Sequence, residues 1–285
     1  MARLTQAIKN LTRLTSLSTR VLADTPFRAT ALVQRPPTYT LPPYTASSGY
    51  FGGGDDGANI SGIDKITFPA DSKTTLSATL TTARSYLASM ANSGVAGYFG
   101  GGYDTANISG IDNITFGADT RTTLSATLTA ARNALVGMAN SGVAGYFGGG
   151  DLTNIIDKIT FPADTKTTLS AVLSTARYVL AGMANSGVAG YFGGGDDGAP
   201  LSGIDKITFP ADTKTTLSAT LTSARKGPAG MANSGVAGYF GGGRDSATLS
   251  GIDKVTFSTD TRSTLSATLT TAREAAAGMA DCGVL

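Results

Sequence analysis

The chain has 285 residues, 41% hydrophobic and 15% charged, with no His, no Trp, a single Cys and a formal net charge of +2. This composition excludes an internal disulfide, a His-based catalytic triad and the usual His/Cys zinc ligand sets. No apolar run approaches the ~20 residues of a membrane-spanning helix.

Residues 1–48 differ from the rest of the chain in charge and composition. Residues 1–35 carry six basic residues against Asp24 alone, a net of +5, whereas the remainder has a net of −3. The body therefore lacks a basic footprint for nucleic acid. Leu4, Ile8, Leu11, Leu14, Leu17 and Val21 recur at intervals of three and four, which predicts an amphipathic helix. Lys9, Arg13 and Arg20 fall mostly off its apolar stripe, and the helix should end before Pro26. Pro36-Pro37 and Pro42-Pro43, set among Thr and Tyr, predict an extended spacer. Three readings of this arm are open: a docking segment, an organelle transit peptide and a helix on an anionic membrane surface. Docking is favoured, because a short lone helix is marginal in water and needs a surface to pack on. The first residues lack the continuous apolar core of a secretory signal, so none is expected.

Residues 49–285 form an array. Tyr-Phe-Gly-Gly-Gly occurs five times, beginning at Tyr50, Tyr98, Tyr146, Tyr191 and Tyr239, at spacings of 48, 48, 45 and 48. Such a period marks units that cannot bury their apolar faces alone. One unit should hold an inner strand around Gly137-Met138-Ala139 and a turn at Asn140-Ser141-Gly142. A second strand from Val143 to Phe147 and a variable loop come next. A third strand over Ile155–Phe161 leads to a turn at Pro162–Thr165 and a fourth strand over Thr167–Leu173, ending at Arg177. Four short antiparallel strands with turn chemistry between them predict one propeller blade. Met90, Met138, Met183, Met231 and Met279 fall on the inner strands, one per copy, as core filler. Cys282 takes the slot of Ser93, Ser141, Ser186 and Ser234, which marks a turn residue rather than a nucleophile.

The ends of the array complement each other. The last copy stops after Gly278–Leu285, and the first begins at Ser48-Gly49-Tyr50-Phe51 without an inner strand. The expectation is an all-β, five-bladed propeller closed by pairing of N- and C-terminal strands, which would remove two open sheet edges. Exchange of the same strands between neighbouring chains is the alternative.

A glycine run, then a strand with Asp, then L-x-x-x-R resembles the kelch motif. It is read here at Gly193-Gly194-Gly195, Ile204-Asp205-Lys206 and Leu221 to Arg225. The resemblance covers residues 49–285 and departs from the motif in lacking its Trp. The fuller pattern Y-F-G-G-G … I-D-K-I-T-F … D-T-K-T-T-L-S … T-A-R is similar to kelch-like repeats in virion proteins of tailed phages, notably marine cyanophages. This resemblance implies a non-enzymatic virion structural protein (tail, fibre or capsid decoration), assembled in the host cytoplasm in multiple copies. The arm would hold other virion proteins, and the propeller would be displayed towards a host-surface protein or glycan. A lectin-like glycan-binding propeller and a cellular kelch-type interaction scaffold are the alternatives.

Candidate chemistry is sparse. Gly148-Gly149-Gly150 is followed by neither Gly-Lys-Ser/Thr nor a helix pattern, so it is no phosphate loop. Asp55-Asp56 and Asp196-Asp197 offer too few oxygens for Ca²⁺ and read as solvated turns. Asp64, Asp112, Asp157, Asp205 and Asp253, with Arg84, Arg132, Arg177, Arg225 and Arg273, recur in every unit. A catalytic constellation breaks symmetry, so these groups should fix loops through charge-assisted hydrogen bonds. No catalytic residue, cofactor or metal is expected. Variation gathers in the loops after the glycines and in the links after each Arg. Those two sets should share one face, with Tyr86, Tyr103, Tyr178, Asp55, Asp56, Asp196, Asp197 and Arg244 as candidate binding residues.

Overall fold

The computed structural model describes residues 48–279, which form five antiparallel sheets and contain no helix. The predicted arm, with Leu4, Ile8, Leu11, Leu14, Leu17, Val21, Arg13 and Arg20, lies outside the described residues, as does Cys282.

The first sheet has three strands, β1 (Ser48–Gly52), β2 (Ile63–Thr67) and β3 (Ser72–Thr75). The second runs β4 (Ala88–Asn92), β5 (Ala96–Gly100), β6 (Ile111–Thr115) and β7 (Thr120–Thr123). The third holds β8 (Val136–Asn140), β9 (Ala144–Gly148), β10 (Ile156–Thr160) and β11 (Thr165–Thr168). The fourth holds β12 (Ala181–Asn185), β13 (Ala189–Gly193), β14 (Ile204–Thr208) and β15 (Thr213–Thr216). The fifth holds β16 (Ala229–Asn233), β17 (Ala237–Gly241), β18 (Ile252–Thr256) and β19 (Thr261–Thr264). Strands are consecutive within every sheet, as tight turns dictate.

Register repeats as faithfully as sequence. Met138 faces Tyr146 and Tyr146 faces Lys158, just as Met183 faces Tyr191 and Tyr191 faces Lys206. The outermost strand is shorter than its sequence predicts. β11 ends at Thr168, and Leu169 and Leu173 turn inward to be buried against the neighbouring sheet. Burial of two leucines outweighs continuation of an exposed ladder.

Small residues and aromatics set the angle between sheets. At the inner margin a Cβ on Gly230 would stand 2.5 Å from the Gly182 carbonyl oxygen, so adjacent inner strands nearly touch. Further out, aromatic side chains fill the gap: Tyr50 stacks on Phe116, Tyr98 on Phe161, Tyr146 on Phe209 and Tyr191 on Phe257, at centroid distances of 5.0–5.1 Å. Sheets that converge inside and diverge outside are consistent with the blades of a five-bladed propeller.

The expected closure is not made. The five sheets do not close on themselves, and among the described residues no C-terminal strand pairs with β1. The chain beyond the fifth sheet takes the next step of the same stack instead: a Cβ on Gly278 would stand 2.5 Å from the Gly230 carbonyl oxygen. The final inner segment thus lies against β16, leaving the first sheet one strand short.

Candidate functional site

Two sets of residues carry the chemistry of the array: a polar seam between sheets and a loop face along one margin. The seam uses the recurrent Asp and Arg. Arg84, Arg132, Arg177 and Arg225 each stand on the link out of one sheet and meet the Asp on the third strand of the next. The pairs are Arg84–Asp112 at 2.9 Å, Arg132–Asp157 at 3.0 Å, Arg177–Asp205 at 2.7 Å and Arg225–Asp253 at 3.1 Å. The Asp also gathers backbone and hydroxyl donors. Asp157 accepts from the Thr129 N–H at 3.0 Å, the Thr129 hydroxyl at 2.6 Å and the Thr168 hydroxyl at 3.0 Å. Arg132 donates in addition to the Phe147 carbonyl at 3.2 Å. Burial pulls the guanidinium pKa down, and Asp157 opposes that pull. These groups tie sheet to sheet, whereas their recurrence in sequence pointed to the fixing of loops.

A second polar link has no local signature in the sequence. The Asp in each third-to-fourth-strand turn sits at positive φ, between +48° and +54°, a conformation Asp tolerates better than most residues. From the second sheet onward it accepts from the tyrosine of the preceding sheet: Tyr50 to Asp119 and Tyr98 to Asp164 at 2.7 Å, Tyr146 to Asp212 and Tyr191 to Asp260 at 2.8 Å. Lys65, Lys158 and Lys206 reach the other oxygen of Asp119, Asp212 and Asp260 at 2.6–2.8 Å. The recurrence of Tyr, Lys and turn Asp in the repeats is the one available signal. Their partnership spans 54–69 residues, so no local spacing reveals it.

The second unit departs from this rule, since Asn113 replaces the lysine and reaches Asp164 at only 3.5 Å. Asn113→Lys is expected to restore the pair and raise stability by up to about 1 kcal/mol, or about 2 °C in melting temperature. Differential scanning calorimetry checks this; an unchanged or lower midpoint refutes it.

Burial, reinforced by the neighbouring carboxylate, raises the phenol pKa of Tyr98, Tyr146 and Tyr191 well above the ordinary tyrosine value. A raised folded-state pKa gives stability that is complete below the unfolded value of about 10 and is lost as pH climbs beyond it. In an alkaline titration these phenols should ionise together with unfolding, so late absorbance at 295 nm and loss of far-UV dichroism should coincide. Complete phenol ionisation in a folded protein would refute the link.

The inner margin has its own ladder. Asn92 accepts from the Gly142 N–H, Asn140 from Gly187 and Asn185 from Gly235, at 2.7–3.0 Å. The methionines also meet glycines of the next sheet: the thioether of Met90 occupies the space a side chain on Gly145 would need, and Met138 does the same at Gly190 and Met183 at Gly238.

The loop face is formed by the links after each Arg and the loops after each glycine run. Ser85 and Tyr103 exchange two backbone hydrogen bonds, as do Tyr178 with Asp196 and Lys226 with Arg244. Link residues at positive φ also bond from sheet to sheet: Ala134 N–H to Tyr86, Val179 to Ala134, Gly227 to Val179 and Ala275 to Gly227, at 2.8–2.9 Å. Tyr86 and Tyr103 are exposed, as are Asp55, Asp56, Asp197 and Arg244, while Tyr178 is half-buried. Asp196 is turned inward, accepting from the Gly198 N–H at 2.8 Å and pairing with Lys226 at 3.1 Å. Asp55 and Asp197 accept backbone N–H groups two residues on, and Arg244 pairs with Glu274 at 3.1 Å. The loop at Asp151 is the shortened one and keeps a single bond to its link, Asp151 N–H to the Asn133 carbonyl.

Neither a family model nor a curated protein matches this chain. Among the described residues, His, Cys, Asp and Glu form no group of three or more that could hold a metal ion. No helix among them is long and apolar enough to cross a membrane.

Proposed function

We propose that the protein is a non-enzymatic display module, a kelch-like array anchored by residues 1–48 and presenting its loop face to a partner. The observation that carries this reading is a division of labour. Recurrent ionisable groups are consumed in the sheet-to-sheet seam, while sequence variation and exposed Tyr86 and Tyr103 gather on one margin. A rigid scaffold with variable loops is a common arrangement for recognition. The similarity of the repeats to phage virion proteins supports a place in a virion, with the arm docked on another virion protein and the loop face turned to the host surface.

The test has two arms. Cryo-electron microscopy of the native particle should place residues 1–48 against a second virion protein and the Tyr86/Tyr103 margin outward. An arm that touches no other protein, or a loop face turned into the particle, rejects the reading. In parallel, Tyr86→Ser with Tyr103→Ser should weaken attachment to host cells about tenfold or more without moving the melting temperature. Unchanged attachment rejects the loop face as the contact surface.

A groove between the first two sheets favours glycan as a second class of ligand. Ser77, Thr79, Thr120 and Arg121 line it beside Leu76, Ala78 and Ala118, offering three hydroxyls and a guanidinium to sugar hydroxyls, while Asp119 at its edge is held by Tyr50 and Lys65. A glycan array with no hits dismisses this second reading and leaves the first intact.

A further inference from the structure

The two ends of the array are unequal halves of an interface that the chain makes four times internally. Phe99, Phe147, Phe192 and Phe240 each press on a glycine of the preceding sheet (Gly52, Gly100, Gly148 and Gly193), where a Cβ would meet the ring at 2.5–2.9 Å. Phe51, the first of the series, presses on no preceding sheet and is 64% exposed, whereas Phe147, Phe192 and Phe240 are fully buried. At the other end Gly241, last of the glycines, meets only Ile252 of its own sheet.

The polar seam stops in the same way. Among the described residues Asp64 pairs only with Lys73, at 3.3 Å, while Asp112, Asp157, Asp205 and Asp253 each hold a buried Arg as well as a corresponding outer cation. Arg273, the last Arg, is exposed, and its Nε donates to the Thr271 carbonyl. Asp71, the first turn Asp, is exposed; Tyr239 and Lys254 hold the positions whose counterparts bind that Asp in the other units. One end thus offers two carboxylates and the other two cations.

The missing strand follows the same logic. The first sheet lacks an inner strand, and Gly97 meets Phe116 but no methionine. Residues 276–279 stand where the inner strand of a next sheet begins, with Met279 75% exposed. Among the described residues of one chain these parts do not meet.

We propose that the ends are filled by a second copy of this chain, joined head to tail through a fifth repetition of the internal seam. Residues 276–279 of one copy begin the inner strand beside β1 of the next, placing its Met279 over the partner's Gly97. Arg273 and Lys254 of one copy meet the partner's Asp64 and the partner's Asp71, and the partner's Phe51 seats on Gly241. The contact is heterologous, so it generates rings or filaments of copies rather than a two-fold dimer.

The test is sedimentation velocity of the full chain over a concentration series. Wild type should shift from monomer to species of at least twice its mass. Asp64→Arg, blocking one end, and Arg273→Glu, blocking the other, should each weaken assembly by about 30-fold or more. Mixed together, the two variants make the native Arg273–Asp64 pairing at one contact and its charge-reversed counterpart at the other, and should assemble where neither does alone. Phe51→Asp, at an exposed site, should reproduce the Asp64→Arg result if that variant folds poorly by circular dichroism. A wild type that stays monomeric throughout overturns the proposal. So does an oligomer that all three variants leave unchanged, which would place association elsewhere.

Discussion

Arg132→Ala is expected to destabilise the array by about 3–5 kcal/mol and to split its unfolding into two transitions. Arg132 and Asp157 are both fully buried and lie 3.0 Å apart between the second and third sheets. Removing the guanidinium leaves a buried carboxylate with neutral hydrogen-bond donors and only the more distant Lys166, at 3.8 Å, so most of the cost of desolvating that charge is no longer offset. In an array of units held by nearest-neighbour seams, a break at one seam uncouples the units on either side. Calorimetry or urea titration should therefore resolve the first two sheets from the last three. Arg273→Ala is the control: the same residue type at the same repeat position is exposed and should cost no more than about 0.5 kcal/mol in the monomer. Equal losses in the two variants would refute the seam as the source of cohesion.

The second large effect is expected from Gly230→Ala, about 3 kcal/mol. The new Cβ would stand 2.5 Å from the Gly182 carbonyl oxygen and 3.2 Å from its carbon, both backbone atoms of the adjacent inner strand. No rotamer relieves this contact, so the two sheets must part at their tightest point. Gly145→Ala meets a different obstacle, the flexible thioether of Met90. It should cost less than Gly230→Ala, and adding Met90→Ala should relieve the larger part of the clash, leaving the Phe161 ring at 3.1 Å. Gly187→Asn, at φ +79° in an open turn, should be nearly silent, since Asn tolerates that backbone and nothing lies within 4 Å. A melting series that ranks these three differently would show that the inner margin is looser than its geometry implies.

Several features are legible in the amino-acid pattern. The period, the four-strand unit, the small inner strand and the gathering of variation on one margin follow from local spacing. Inner strands lie within a residue or two of the positions that Gly137-Met138-Ala139 and its copies predict. The fourth strand is shorter than its pattern suggests, because Leu169 and Leu173 continue a β-like alternation while their burial demands a change of direction. The Arg and Asp series are recognisable as structural, yet their pairing runs from one sheet to the next, as Arg132 to Asp157. The Tyr–Asp links and the Asn92–Gly142 ladder escape a reading of the sequence because their partners lie dozens of residues apart.

What the sequence determined alone is the unit: alternation, turn residues and glycines act over a few residues, and five nearly equal copies repeat the instruction. What tertiary structure decided is how units meet and where the meeting stops. A sequence of complementary copies contains five donors and five acceptors for the same seam, and composition cannot say whether the last donor returns to the first acceptor. The packing between sheets does decide it. Among the described residues Gly278 stacks on Gly230 but no strand pairs with β1, and Arg273 and Asp64 are not brought together.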